Sequence, residues 1–415
     1  MAPIIVSIVS QHAEEAAFLW LLRNNAVHAP HYALKDLAKL DDRIEAHLDG
    51  LRIAGDAGWE FCREGLGQRE PGEVFAAAVL AFESGDGNRI NEVLSVGGAS
   101  MELSRGLVSA LGWIPFAQAS PHIQRLLTAE SSIQRQIGIA ASAVHRQDPG
   151  AALLDSLSAT DLSLKARSLK AVGELGRNDL LPVVKSNLNS EDPTSRFWAA
   201  WSGALLGEPS AIPVLQRLAE QGGERAESAC AMALRRMPLQ AAHEWQRELA
   251  GRPETLRMAV QGLGVIGDPA GIPWLIERMA KPEVARVAGE SFTMITGTDL
   301  AYEDLEGEKP EGFEAGPTEN PEDENIEIDP DEDLPWPNPQ LVERWWASHR
   351  LGFTNGTRYL LGKPMTVDWF NEVLRTGKQR QRTAAAIELS MREPGRPLFN
   401  TSAPGFRQQV LLQVR

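Results

Sequence analysis

Apolar residues recur at helical spacing along most of the chain. In the stretches AEEAAFLWLLRNNAV (13–27) and LDDRIEAHLDGLRIAG (40–55) they form a stripe along one face, which predicts two amphipathic helices. From about residue 72 to 296 the pattern becomes a series of helix pairs of roughly 30 residues each. Since a pair of that size cannot bury its apolar face alone, neighbouring pairs must stack. The pattern predicts an all-α fold, a HEAT-like α-solenoid built as a right-handed superhelix of helix pairs.

Several repeats share a glycine that is followed six residues later by a proline. These pairs are Gly176 with Pro182, Gly207 with Pro213 and Gly267 with Pro273. The first two glycines are 31 residues apart and the next interval is 60, so a weaker repeat lies between them, with Met237 in the glycine position.

Gly262, Gly264 and Gly267 have the G-x-G-x-x-G spacing of a dinucleotide-binding turn, which requires a preceding strand. The preceding residues instead follow the helical period, so Gly267 is expected to end a helix. Only this last glycine recurs in the other repeats, where small residues suited to close helix packing occupy the other two positions. No nucleotide or other cofactor is expected.

Composition is that of a globular chain in a reducing compartment. The hydrophobic content is 43%, and the two cysteines, Cys62 and Cys230, lie far apart without a disulfide pattern. The first residues lack the basic start and long apolar core of a secretory signal, and no stretch is apolar enough for a membrane span. The expectation is a cytoplasmic protein with no membrane contact.

The negative charge is concentrated in one segment. The net charge is −15, and residues 303–333 hold 15 Asp or Glu against Lys309 alone, a balance of −14 that leaves −1 for the rest. Such a Pro- and Gly-rich acidic composition predicts an extended segment. Further helices are expected at about 341–350, 366–376 and 378–392, before an irregular tail. The predicted domains are an N-terminal helical cap (1–65), HEAT-like repeats (66–297), the acidic extended segment (298–339) and a C-terminal helical element (340–415).

Six stretches together resemble a known family. They are QHAEEAAFLWLLRNNAV, LDDRIEAHLDGLRIAG, DLAYEDLEGEKPEGFEAGPTENPEDE, DEDLPWPNP, GTRYLLGKP and GKQRQRTAAAIELS. The chain resembles, from end to end, a family of HEAT-repeat proteins of Gram-negative bacteria of unknown function, whose genes often lie near those of type VI secretion spike proteins. The resemblance implies an adaptor or assembly factor for an effector or spike component, and supplies no catalytic motif.

Four histidines fall in the first 47 residues: His12, His28, His31 and His47. The spacings of His12 with Glu15 and of His28 with His31 suit a metal ion. Because Pro30 places the second pair in a turn, hydrogen bonding by neutral imidazoles is the favoured interpretation and no metal site is predicted.

Asp329, Asp331 and Asp333 resemble the start of a calcium loop. However, Leu334 stands where such a loop needs glycine, and Gln340 where it needs a bidentate glutamate. An EF-hand is therefore excluded, and a solvated charge run is the default interpretation, with loose calcium binding by the acidic segment as the alternative.

Aromatic and basic residues cluster near the C-terminus, where large aromatic side chains are the usual anchors of protein interfaces. The candidate partner-binding residues are Trp336, Trp345, Trp346, Phe353, Arg358, Trp369, Arg375 and Arg380. The alternative is that the tryptophans pack the C-terminal helices onto the last repeat. A nucleic-acid site is not favoured, because the carboxylates of residues 303–333, with their charge balance of −14, would compete with phosphate groups for these basic side chains. We expect that segment to fold back on the basic helix around 374–382 or on the concave face of the solenoid.

Binding to another protein is therefore the predicted function, with a type VI secretion spike or effector component as the partner that the resemblance implies. The alternative is an enzyme on a HEAT scaffold, either metal-dependent through the N-terminal histidines or nucleic-acid-modifying.

Overall fold

The computed structural model describes residues 5–316 and 329–414. It contains 22 α-helices within these residues and divides into two compact units. Unit 1 comprises Met1–Glu208 with Val373–Arg415, and unit 2 comprises Pro209–Glu372. The all-α, HEAT-like solenoid class predicted from the helical period is confirmed.

Unit 1 is built from twelve consecutive helices and two from the end of the chain. They are α1 (Val6–Ala26), α2 (Leu34–Ala54), α3 (Asp56–Gly65), α4 (Pro71–Ser84), α5 (Gly87–Gly97), α6 (Met101–Trp113), α7 (Phe116–Leu127), α8 (Ser132–Val144), α9 (Ala151–Leu157), α10 (Leu162–Glu174), α11 (Leu181–Ser186), α12 (Pro193–Leu206), α21 (Gln379–Arg392) and α22 (Gly405–Leu412).

Alternate helices of unit 1 form one layer, in which α4, α6, α8, α10 and α12 each pack on the next. Small residues allow the close approach: a Cβ added at Gly106 would lie 2.4 Å from the carbonyl oxygen of Pro71, and one at Gly173 would lie 2.5 Å from Ser202 Oγ. This layer carries the site described below.

Unit 2 contains the remaining elements. They are α13 (Ala211–Glu220), α14 (Ala226–Arg236), α15 (Leu239–Ala250), α16 (Leu256–Ile266), α17 (Ile272–Arg278), α18 (Pro282–Thr296), α19 (Pro339–His349), a two-residue antiparallel pair β1 (Tyr359–Leu360) and β2 (Lys363–Pro364), and α20 (Val367–Thr376), whose last residues belong to unit 1.

The repeat glycines end helices as expected. Gly176, Gly207 and Gly267 have φ values of 67°, 89° and 74°, in the left-handed region where glycine has no steric penalty. Gly267 caps α16 and no strand precedes it, so the interpretation of 262–267 as a helix end is confirmed. At Met237 the backbone is extended instead, and Pro238 then turns the chain into α15.

One expectation about the helical ends was wrong. The tail after 392 is not wholly irregular, because α22 forms where Gly405 permits close packing on α2; a Cβ there would lie 2.5 Å from Ala38 Cα. The first helix extends beyond the apolar stripe at 13–27 to begin at Val6, and α3 adds a third helix before residue 66. Among the described residues, no helix combines the length and apolar character that a bilayer crossing needs.

Candidate functional site

A groove of about 460 Å³ in unit 1 gathers an unusual number of positive charges. It lies between α1, α6, α8 and α10, with residues 400–404 along one side. Its basic lining residues are Arg23, Arg105, Arg146, Arg167 and Lys170, and Glu174 is the only carboxylate that lines it. We call it the basic groove.

Helix geometry places the charges of α10 on one face. Arg167, Lys170 and Glu174 follow each other at i, i+3 and i+7, which are neighbouring positions on a helix surface. Asp161 fixes the start of α10 by accepting a hydrogen bond from the backbone N–H of Leu164, and Ser100 caps α6 in the same way. The caps therefore fix where the two helices begin, and with it which of their residues face the groove.

Two of the five cations bind backbone carbonyl groups of unit 1 itself. Arg23 forms a buried ion pair with Asp41 at 2.5 Å, and its guanidinium donates to the carbonyl oxygens of Ser402 and Ala403. Arg146 donates to the carbonyl oxygens of Leu398 and Ala143. These two arginines anchor the C-terminal segment beside the groove.

The other three cations contact side chains at the groove. Arg105 is exposed and donates to the side-chain oxygen of Asn24. Arg167 Nη1 lies 2.9 Å from Glu174 Oε2, its Nη2 donates to the carbonyl oxygen of Ala140 at 3.4 Å, and Lys170 Nζ lies 3.9 Å from the other oxygen of Glu174. One carboxylate thus balances two cations, and the groove keeps an excess of positive charge.

The ionisable groups near the groove respond to this charge. Burial alone would raise the pKa of Glu174, but attraction by Arg167, Lys170 and Arg146 outweighs it and holds the pKa below its usual value. The pKa of His28 is lowered by desolvation and then by the charges of Arg380, Arg105 and Lys170. Both shifts indicate a positive potential that favours anions.

The groove also has apolar residues in its lining. Trp20 and Trp113 are nearly fully buried beneath it, and Trp113 Nε1 donates to a carboxylate oxygen of Glu45 at 2.6 Å. Met101 is half exposed at the rim, and Lys170 Nζ lies 4.5 Å from the ring centre of Trp198. Carboxylates with interspersed apolar side chains would match this lining.

The predicted aromatic anchor residues pack mainly against other residues of unit 2. Trp336 packs edge-on against Phe313 at 5.2 Å, and the Arg286 guanidinium lies 4.6 Å from its ring centre. Trp345 packs against Phe292 of α18 and stacks on His349 of its own helix.

The remaining aromatics form a second cluster. Phe353 lies between Trp346 and Tyr359, with ring centres 5.3 and 5.1 Å away, and Trp369 donates to the carbonyl oxygen of Leu360. Trp336, Trp345, Trp346, Phe353 and Trp369 are all partly exposed. Packing accounts for these contacts, and a role of the same side chains in partner binding stays a prediction.

The predicted basic residues also contact backbone carbonyls. Arg358 donates to Leu234 and Met237, Arg375 to Leu412, and Arg380 to His28. Arg382 of α21 is fully buried and donates to the carbonyl of Leu374 and to the side chains of Gln379 and Gln408. The expectation of one basic helix around 374–382 is therefore wrong, because α20 ends at Thr376, α21 begins at Gln379, and the Arg382 guanidinium organises the packing of α21 and α22.

The N-terminal histidines do not converge on one point. His12 and His47 do meet, with their Nδ1 atoms 3.1 Å apart, and the pKa of His47 is lowered by burial and by His12, which the charge of Glu15 only partly opposes. His28 is placed beside Arg380, and the ring of His31 packs on Tyr32. In the described ranges, no three metal-ligating side chains form a group that could hold an ion.

The described part of the acidic segment contacts repeat helices. Asp331 is buried and receives two hydrogen bonds from Arg257 of α16, at 2.6 and 2.7 Å, while Asp329 pairs with Arg286 of α18. The interpretation of Asp329 and Asp331 as members of a solvated charge run is therefore wrong, because both bind guanidinium groups. Residues 317–328 lie outside the described residues.

The basic groove was not found from the sequence. Its cations are spread from Arg23 to Lys170, and all but Arg146, which follows α8, lie in helices, where a charge usually marks the solvent face. Lys170 three positions after Arg167 was the only local signal.

Comparison with known proteins supports the repeat assignment. Residues 150–235 match the family model described as HEAT repeats. This match begins just before α9 and includes α10, which carries three charged residues of the basic groove. No curated protein matches the chain.

Proposed function

We propose that this protein is a non-enzymatic scaffold that binds an acidic segment of another protein in the basic groove. HEAT repeats generally serve as protein-interaction scaffolds, and such scaffolds are generally not catalytic. The observation that carries the proposal is the excess of positive charge in the groove, where Arg105, Arg146, Arg167 and Lys170 stand near one lining carboxylate, Glu174, while Arg23 is paired with Asp41.

A peptide with Asp or Glu side chains suits this groove better than a nucleic acid. Nucleic-acid affinity depends on neutralising a run of phosphates with many Lys and Arg side chains. Here Arg23 and Arg146 already bind backbone carbonyls, which leaves a short basic surface beside apolar residues such as Met101.

The partner we propose is a type VI secretion spike or effector component, for which the protein would act as an adaptor or assembly factor. The support for this step is the resemblance of the chain to a family whose genes often lie near those of spike proteins. A cytoplasmic location would follow from that role.

The test is mass spectrometry of proteins that co-purify with the tagged chain from its own host at modest salt. The groove variant combines Arg105→Glu with Lys170→Glu. The control combines Arg125→Glu with Lys165→Glu, which makes the same change in charge at residues that do not line the groove. We expect a spike or effector component to be enriched with the wild type and the control, and lost with the groove variant.

Equal recovery by all three proteins would contradict the assignment to this groove. A direct titration separates the partner classes: a short polyglutamate peptide with interspersed Leu should bind in a salt-sensitive manner, whereas single-stranded DNA should not. Tight DNA binding that depends on Arg105 and Lys170 would overturn the protein-scaffold proposal.

A further inference from the structure

A second groove in unit 1 has the opposite charge. It has a volume of about 630 Å³ and lies between α1, α3 and α4. Its acidic lining residues are Glu14, Glu64, Glu70 and Glu73, and none of the residues that line it is Lys or Arg. We call it the acidic groove.

Large apolar side chains stand exposed along the α1 wall. Phe18 and Leu21 are 61% and 51% exposed, although both line the groove, and Phe61 from α3 lies opposite. Meanwhile α1 buries Ala16, Leu19 and Trp20 on its other face, against its neighbours α2, α3 and α4. Covering Phe18 and Leu21 would remove apolar surface from water, which favours association.

Small residues make the floor shallow and smooth. Ala13 and Ala17 of α1 line the groove, and Ala17 meets Gly72 of α4, where an added Cβ would lie only 2.6 Å from the carbonyl oxygen of Ala17. From Ser10 to Leu21, the lining residues of α1 extend over about 16 Å, the length of about three helical turns. A single helix with an apolar stripe fits such a floor.

The glutamates that line the acidic groove determine which charge a bound helix should carry. Within the described residues, no salt bridge reaches Glu14, Glu70 or Glu73, and Glu14 accepts a hydrogen bond only from Ser10. The pKa of Glu73 is raised by burial and by the neighbouring charge of Glu70. A cation placed there would relieve this repulsion, whereas a second copy of the same groove or an anionic membrane would add to it.

We propose that the acidic groove binds a basic amphipathic helix of a partner protein, with apolar residues against Phe18 and Leu21 and with Lys or Arg beside the four glutamates. This surface is separate from the basic groove. The scaffold would then present two sites of opposite charge, so that an acidic and a basic segment could be held on one unit at the same time.

The test is a titration of the full-length protein with two fluorescent helical peptides, measured by fluorescence anisotropy. Both carry Leu at helical spacing, and one carries Lys where the other carries Glu. We expect binding of the Lys peptide only, weakened by at least about tenfold in the Phe18→Ser/Leu21→Ser variant. Leu162→Ser, which changes an exposed leucine elsewhere in unit 1, is the control and should bind as the wild type does.

The Glu70→Gln/Glu73→Gln variant tests the charge independently of the apolar surface. It should bind the Lys peptide more weakly and with less dependence on salt. Circular dichroism establishes that each variant keeps its helical content. Equal affinity for both peptides, or unchanged affinity in both groove variants, would overturn the proposal. Reversible self-association abolished by Phe18→Ser/Leu21→Ser would do so as well, since a second copy would then be the occupant.

Discussion

At the scale of single residues, the pKa of His28 reflects the positive electrostatic potential of the basic groove. Its pKa is lowered by desolvation and by the charges of Arg380, Arg105 and Lys170. A histidine whose pKa falls on folding favours the unfolded state once protonated. Its contribution to stability is complete above the ordinary pKa of 6.5 and declines as pH falls through that value toward the folded pKa.

Neutralising two of these cations should therefore raise the pKa of His28. We predict an upward shift in the Arg105→Gln/Lys170→Gln variant, measured by NMR titration of the imidazole C–H signals, because the repelling charges are removed. Arg125→Gln removes a charge that does not line the groove and should leave His28 unaffected. An unchanged pKa of His28 in the double variant would mean that the groove cations do not act together.

At the scale of secondary-structure elements, a buried ion pair joins the two ends of unit 1. Asp41 of α2 is fully buried, receives Arg23 from α1 and accepts a hydrogen bond from the backbone N–H of Gly405 at the start of α22. Arg23 in turn holds the carbonyl oxygens of Ser402 and Ala403. Three helices from opposite ends of the sequence thus depend on one carboxylate.

We predict that Asp41→Asn destabilises unit 1 by about 3 kcal/mol, because it leaves Arg23 buried without its counter-ion. Residues 393–415 should also become more sensitive to proteolysis. Chemical denaturation and limited digestion measure the two effects. The control is Asp42→Asn, an exposed neighbour whose loss should be nearly neutral. Equal stability of both variants would show that the ion pair does not hold α22 in place.

At the scale of the whole molecule, the charge is divided between regions of different sign. Residues 303–333 carry a charge balance of −14 and the remainder of the chain only −1. The basic groove therefore belongs to a part of the sequence that is almost neutral. Asp329 and Asp331 attach the acidic segment to α18 and α16 of unit 2. These two residues bind repeat helices of unit 2, and folding back of the segment on the basic helix or on the concave face stays a prediction.

We predict that Asp329→Asn/Asp331→Asn lowers the stability of unit 2 by about 2–4 kcal/mol, since it removes charge-assisted hydrogen bonds to two arginines. The segment should also be cleaved faster by a protease. Glu303→Gln/Asp304→Asn removes the same charge from exposed positions of the same segment and is the control. If both variants lose stability equally, net charge rather than specific pairing is responsible.

The sequence by itself determined the repeat fold. Helix periodicity, the left-handed positions at Gly176, Gly207 and Gly267, and the absence of a strand before 262 are local properties, since they depend on the conformational preferences of neighbouring residues. The sequence also located the acidic segment, because the density of Asp and Glu can be counted without knowing what the segment contacts.

Only the tertiary structure decided which distant residues meet. It placed residues 373–415 in the same unit as 1–208, buried Asp41 and Arg382, and collected Arg105 and Lys170 in one groove. It also left Phe18 and Leu21 exposed beside four glutamates, although their spacing in the sequence is that of any buried helix face. The physical reason is that a helix period fixes which residues share a face, whereas what that face meets depends on the packing of elements far away in the chain.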